Sequence, residues 1–494
     1  MSLSLVITLL NNVTVNVALP ELSKELGADN TELQWIMDSY VIVFGGLLLV
    51  MGAIGDRFGR KPALLAGLAI VGMVSAFTAQ YATTSEQVIG ARALMGLGAA
   101  LVMPATLSVI VVVFPPEERG KAVGVWVGMA GIGAPIGLLV GGWAVENFDW
   151  RAVFWINPPI IALAMVLSML IVPNSRDEGD SPMDPVGGAL SVGALGFVLF
   201  AIIEGPSLGW TSVEVLTLGF TGVALSFLFV WWERKTEHPM LPIDFFQNRG
   251  FTLGLVAISL AFFVMFSFMF TQMLHFQLVR ERSALEAALR FLPLPLGLMP
   301  SAANSDRLCE RFGSNNVVSL GLAIIGTAMV IFTTVGVGTP YWTLAVIFFL
   351  IGVGMGLTMA PSTTMVMDSI PHEKAGVGSA TNDASREVGG AFGIAIVGSA
   401  VNEIYQSKMS VPGGLESNSA LISESFPAAI SIGNELLAQG NLIGAELIEN
   451  AQLAFVEGMT GAAWISAIVA FVNAVLVKLY MPIGVAKDSG DALA

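Results

Sequence analysis

The chain has 494 residues, 55% of them apolar and only 12% charged, with a mean hydropathy of +0.77. A soluble chain would carry about a quarter charged residues, so this composition places the protein in a bilayer. One cysteine (Cys309) excludes a disulfide framework and a multi-Cys metal site, three histidines argue against a His-based catalytic metal centre, and a net charge of −15 argues against nucleic acid as a partner.

A membrane-crossing helix needs roughly 20 apolar residues. In chain order, fourteen candidates fall at about 2–20, 36–55, 63–82, 88–113, 120–145, 152–172, 185–204, 213–232, 251–274, 284–304, 316–336, 341–366, 386–402 and 460–480. The first is interrupted by Asn11, Asn12 and Asn16, which fits a span better than a cleaved leader. The segment 386–402 gives the weakest signal, because it opens with charge and is rich in glycine. Even-numbered loops and the C-terminal tail hold 14 of the 22 Lys and Arg residues, odd-numbered loops hold 6, and Arg92 and Arg386 lie in or at spans. Both termini are therefore expected on the cytoplasmic side of the cytoplasmic membrane. Loop 403–458, with seven Glu and only Lys408, is then external. Amphipathic stretches around 432–457 predict one or two helices lying on the outer surface.

The sequence also repeats itself. Arg57-Phe58-Gly59 recurs as Arg311-Phe312-Gly313 and Gly67-Leu68-Ala69-Ile70 as Gly321-Leu322-Ala323-Ile324, both offset by 254 residues. Pro116 and Glu118 recur as Pro371 and Glu373, and Gly96-x-Gly98 as Gly352-x-Gly354. The offset exceeds the length of six spans by about two spans. The predicted fold is an all-α integral membrane protein of 14 transmembrane helices, in which two six-helix bundles flank two inserted helices. The expected divisions are 1–172, an insert and linkers at 173–250, 251–480 including the external loop, and a cytoplasmic tail at 481–494. Two parallel six-helix halves around a midplane site are a known transporter plan.

Several motifs sharpen this reading. The loop after the second span reads Gly52-Ala-Ile-Gly-Asp56-Arg57-Phe58-Gly59-Arg60-Lys61, in which glycines let helix ends approach and Asp56 can meet a helix N-terminus or a cation. The fourth span carries Arg92-Ala-Leu-Met-Gly96-Leu-Gly98. The fifth carries Gly133-Ala-Pro135-Ile-Gly137-Leu138-Leu-Val-Gly141-Gly142. The chain resembles the major facilitator superfamily in these loops. With Asn16-Val-Ala-Leu-Pro20 and Gln34-Trp35-x-x-Asp38-x-Tyr40 it is similar to the 14-span drug:proton antiporter family. The resemblance implies export of lipophilic or cationic small molecules against protons, and it departs from the family at two places. Asn11 stands where an acid is usual, and Leu138 stands where the antiporter motif has proline.

Ionisable residues inside a membrane are costly, so each is a functional candidate. Asp38, Arg92 and Glu204 are the candidates for proton coupling. Asp383 lies one turn from both Arg386 and Glu387, so the three share a helix face at the opening of the thirteenth span, and Asp383 and Arg386 are read as a cytoplasmic ion-pair gate with Asp56, Arg57 and Arg60. Asp368 is expected to pair with a base. Asn11, Asn16, Trp126, Met129, Phe262, Phe266 and Met269 are candidate substrate-cavity residues, and Trp155, Phe263, Met265, Phe268 and Phe270 could join the same wall, though only some of the run 261–270 can face inward. Trp35, Trp150, Trp210, Tyr40 and Tyr81 are read as interfacial anchors. No catalytic constellation, cofactor motif or Walker-type loop is present in the sequence. A proton-independent facilitator or lipid translocator, with membrane lipid as the partner, is the alternative within this fold. A non-transporting receptor that uses loop 403–458 is the alternative of another class.

Overall fold

The computed structural model describes residues 1–26, 28, 30–175, 184–415 and 418–483, with some side chains inside the helices left out. Among these residues every regular element is helical. Eleven helices are long and apolar enough to cross a membrane. The predicted first, fifth and tenth spans fold as helices but fall outside that eleven: α1 (Ser2–Leu26), α5 (Pro116–Asn147) and α12 (Pro293–Phe312), so the count of fourteen is an expectation that the model does not confirm. The reason is plain for α12, whose last two turns carry Asp306, Arg307, Glu310 and Arg311.

The first group is completed by α2 (Asn30–Phe58), α3 (Arg60–Tyr81), α4 (Ser85–Val113), and the pair α6 (Ala152–Trp155) and α7 (Asn157–Ile171). Prolines at the start of α7 explain its break from α6, since proline supplies no backbone donor. The second group holds α10 (Arg249–Leu274), α11 (Ala284–Arg290), α12, α13 (Ser314–Phe332), α14 (Tyr341–Asp368), α15 (Ala375–Lys408) and, after α16 (Ser419–Glu424) and α17 (Phe426–Ala438), α18 (Ile443–Tyr480). Between the groups run α8 (Pro185–Leu208) and α9 (Val213–Lys235). These two pack on each other and α8 leans on α2 and α15. Phe220 and Phe227 of α9 are 72% and 74% exposed, as suits a face turned to lipid rather than to a central cleft.

The repeat is visible in three dimensions. Gly59 (φ 111°) and Gly313 (φ 84°) turn the chain into α3 and α13 with a backbone that L side chains rarely adopt. The α3–α4 crossing puts Gly67 on Gly98, and the α13–α14 crossing puts Gly321 on Gly354. The two groups meet where α2 and α4 lie on α15 and where α5 lies on α12 and α14.

Three expectations need correction. The thirteenth span begins at Ala375, eleven residues before its predicted start, so Asp383 and Arg386 lie within the helix and do not open it. The segment 375–385 falls between predicted spans because it is rich in Gly, Ala, Ser and Asn, yet small side chains are what let α15 lie close to α2 and α10. The predicted surface helices at 432–457 are α17 and the first turns of α18, which runs unbroken into the last span, with Phe426 stacked on Phe455 at 4.2 Å. Two supposed interfacial anchors are interior residues: Tyr40 is 1% exposed and donates to Thr8 O, and Trp150 is 0% exposed and donates to Glu25.

Candidate functional site

At the end that carries the signature loop, Asp56 closes the seam between the two groups. Its carboxylate accepts from the backbone N–H of Gly376 (2.8 Å) and Val377 (3.0 Å) in the first turn of α15, where orphan amides and the helix dipole favour an anion. Arg60 donates to the same carboxylate (2.7 and 3.0 Å) and to His372 O (2.7 Å). The fit requires glycine, since a Cβ on Gly52 would stand 2.6 Å from the Gly376 carbonyl oxygen. At the same end Asp368 pairs with Arg119 (2.6 Å), as expected of it. Arg57 is exposed beside Phe58. Asp383 and Arg386 do not join this cluster. They lie seven to ten residues further along α15, or ~10–15 Å deeper.

Arg92 lies within the first group and is 0% exposed. It donates to Ile36 O (3.0 Å) on α2 and Asn11 O (2.9 Å) on α1, and its guanidinium sits 4.3 Å over the Tyr40 ring. Three helices are thereby tied at one cation. Asn11 is 1% exposed and donates to Ile7 O one turn earlier. At the repeat-equivalent of Arg92, Phe348 stacks among Phe268, Phe276 and Phe291. Aromatic packing thus replaces the cation there.

The charged centre is on α15. Arg386 (3% exposed) pairs with Asp383 (1% exposed) at 3.2 Å and donates to Thr363 of α14 at 3.3 Å. Its guanidinium lies 4.8 Å over the Trp126 ring of α5 and 5.7 Å from the Phe262 ring of α10. Trp126 is fully buried and is fixed by its indole N–H on Thr106 of α4 (3.2 Å). Glu387, half-buried, interacts electrostatically with Asp383, Arg386 and, across the seam, Tyr40. The site is thus assembled from α4, α5, α10, α14 and α15 of both groups. One cleft of about 690 Å³ is lined by Val50, Asp56 and Lys374 at the Asp56 seam, and another of about 480 Å³ is lined by Gln277, Glu281 and Asn434.

The remaining predicted residues distribute unevenly. Phe262 is buried and meets Phe266 edge-on at 5.4 Å, while Met129 and Met269 are half-buried. The side chains of Asn16 and Pro135 lie outside the described residues. Gly133 and Gly141 face Leu9 and Thr14 of α1, and Gly142 faces Leu285, so this part of the antiporter motif packs helices together. Gly137 is buried in the same unbroken α5. Glu204, 5% exposed, ends the face of α8 that puts Phe200 on Trp35 of α2. Asp38 is half-buried on α2. Trp155 and Phe270 point outward, at 46% and 41% exposed.

Sequence reasoning puts Glu387 on one face with Asp383, but it misses Thr363 and the depth of the cluster. The signal was available: Asp383, Arg386 and Glu387 recur at one-turn spacing. It becomes a buried cluster only once α15 is known to begin at Ala375.

The Major Facilitator Superfamily model matches residues 1–394. The multidrug efflux pump LfrA of Mycolicibacterium smegmatis is 29% identical over 97% of this chain and 94% of its own length. The methylenomycin A resistance protein of Streptomyces coelicolor is 32% identical over 80% of this chain and 82% of its own. Among solved structures, the human organic anion transporter MFSD10 matches with a TM-score of 0.58 over 95% of this chain and 97% of its own, at 14% identity, a likeness of fold alone. With matched glycine crossings in both halves and this family model over most of its length, the chain is a multi-pass membrane protein that belongs to the Major Facilitator Superfamily.

Proposed function

We propose that the protein exports lipophilic, mostly cationic small molecules across the cytoplasmic membrane, exchanging them for protons by alternating access. The relatives' printed names, multidrug efflux pump and drug resistance protein, support the export of small molecules. One observation supports the coupling: where the two helix groups meet, an arginine lies over two aromatic rings and pairs with the buried carboxylate of Asp383, with half-buried Glu387 next in the chain. A lipophilic cation needs aromatic surface and a counter-charge, and a proton needs a carboxylate that can be neutralised in a dry site. When both ligands compete for one carboxylate cluster, occupancy by one favours release of the other.

In this reading fourteen spans form two six-helix bundles with α8 and α9 as the insert, and Lys and Arg counts put both termini and the Asp56 seam in the cytosol. The structure then represents the state closed to the cytosol. Asp38 and Glu204, the earlier coupling candidates, become secondary to Asp383 and Glu387. The test is uptake of tetraphenylphosphonium by inside-out vesicles under an imposed pH gradient. Gradient-driven accumulation that is lost in Asp383→Asn and Glu387→Gln supports the proposal. Uptake indifferent to the gradient means a facilitator, and gradient-driven uptake unchanged in both variants removes these residues from the coupling.

A further inference from the structure

We propose that Arg386 is a resident cation. In the empty, closed protein its guanidinium occupies the box of Trp126, Phe262 and Asp383 that the positive head of a lipophilic cation takes, and loading displaces it. The inference rests on the reading of this centre as the substrate site and names what fills that site beforehand.

Three observations carry it. First, the box has the composition of a cation site: a fully buried indole face at 4.8 Å, a phenyl ring at 5.7 Å and a carboxylate at 3.2 Å, each on a different helix. Second, Arg386 is loosely held for a buried arginine. Arg92 makes carbonyl hydrogen bonds of 2.9 and 3.0 Å, and Arg60 makes three polar contacts of 3.0 Å or less. Arg386 has one hydrogen bond, at 3.3 Å, and one ion pair, at 3.2 Å, while its Nε and Asp383 Oδ2 are buried without hydrogen-bond partners. Arg92 also leaves one terminal nitrogen, Nη2, without a partner, so the contrast lies in the two short carbonyl hydrogen bonds that anchor Arg92 and that Arg386 lacks. Third, a displaced guanidinium has somewhere to go, because Glu387 follows it in the chain and already interacts with it. The exchange therefore strands no charge.

Trp126 belongs to the first helix group and Arg386 to the second, so the stack also bridges the seam. A substrate that takes over the ring removes one contact holding the closed state. A tethered competitor lowers the apparent affinity for every external cation in proportion to the fraction of molecules in which it leaves the box free.

The experiment measures equilibrium binding of tetraphenylphosphonium and of tetraphenylborate, its near-isosteric anion, to purified protein in nanodiscs, with pH-driven transport of the cation assayed on the same preparations. Arg386→Gln is expected to tighten binding of the cation about 10-fold and to leave the anion unchanged or weaker. Arg386→Lys keeps the charge but loses the planar stack, and is expected to tighten the cation by only about threefold. It decides the matter if the Gln variant does not fold. Equal changes for both ions, or weaker cation binding in the folded variants, overturn the inference and point to a structural arginine. If the native chain transports the cation, that failure leaves the proposed function standing. If the native chain neither binds nor transports the cation, both fall.

Discussion

Asp56→Asn probes the Asp56 seam, which the proposed orientation puts at the cytosol, with a near-isosteric change. The carboxylate accepts two α15 amides and Arg60 at once and is 4% exposed. Asparagine has one acceptor oxygen, so its amide must face either Gly376 N–H or Val377 N–H. One buried donor is then left unmet, at a cost of about 1–3 kcal/mol. Loss of the anion at the α15 N-terminus adds up to ~1 kcal/mol. Together these amount to about 3 kcal/mol against the closed seam, or roughly a 100-fold shift towards the cytosol-open state. The two α15 amide contacts exist only when α2 and α15 meet, whereas the Arg60 pair lies inside the first group and is present in both states, so the α15 contacts alone set the shift. The assay is the distance distribution between spin labels on Phe58→Cys and Glu373→Cys, both exposed, in a Cys309→Ser background. A long-distance population that is minor in the parent should become comparable to the short one in Asp56→Asn. Unchanged distributions would refute the reasoning and mean that closure is held elsewhere.

Other expectations follow from the same geometry. Gly52→Val pushes a side chain onto the Gly376 carbonyl, so it should abolish transport while leaving tetraphenylphosphonium binding within a few-fold of the parent, as read by filter binding. Arg92→Leu takes the second donor from the Ile36 and Asn11 carbonyls, which keep their helical amides, and removes the stack on Tyr40. Thermal melting in detergent should register a loss of about 3–5 kcal/mol, with Arg92→Lys milder. Arg119→Gln removes an ion pair whose Asp368 partner is a third exposed, so the same melt should move by no more than ~1 kcal/mol.

Much of this molecule is legible from its sequence, for reasons that can be traced to particular residues. The recurring Arg-Phe-Gly turns and Gly pairs mark places where only glycine fits, and the structure puts Gly59 and Gly313, and Gly67 and Gly321, in matching roles. Asp56 could be matched to a helix start because a carboxylate in a glycine-rich loop has few other partners. The charged centre was misplaced because hydropathy locates spans by apolar side chains. In α15 the membrane-depth turns are Gly, Ala, Ser and Asn, which bury by packing closely rather than by being greasy. Tyr40 was misread because a lone tyrosine near a span end resembles an interfacial anchor until Arg92 is found over its ring. For α18 the acidic content of its first turns hid the continuity of a 38-residue helix.

The central claim is that a cation and a proton compete for the carboxylates beside Trp126. Calorimetric titration of the purified protein with tetraphenylphosphonium, in buffers of differing ionisation enthalpy, counts protons released on binding. The account requires net release, roughly one proton per cation near neutral pH, that disappears in Asp383→Asn, Glu387→Gln. Binding of the cation with no proton released at any pH would contradict it.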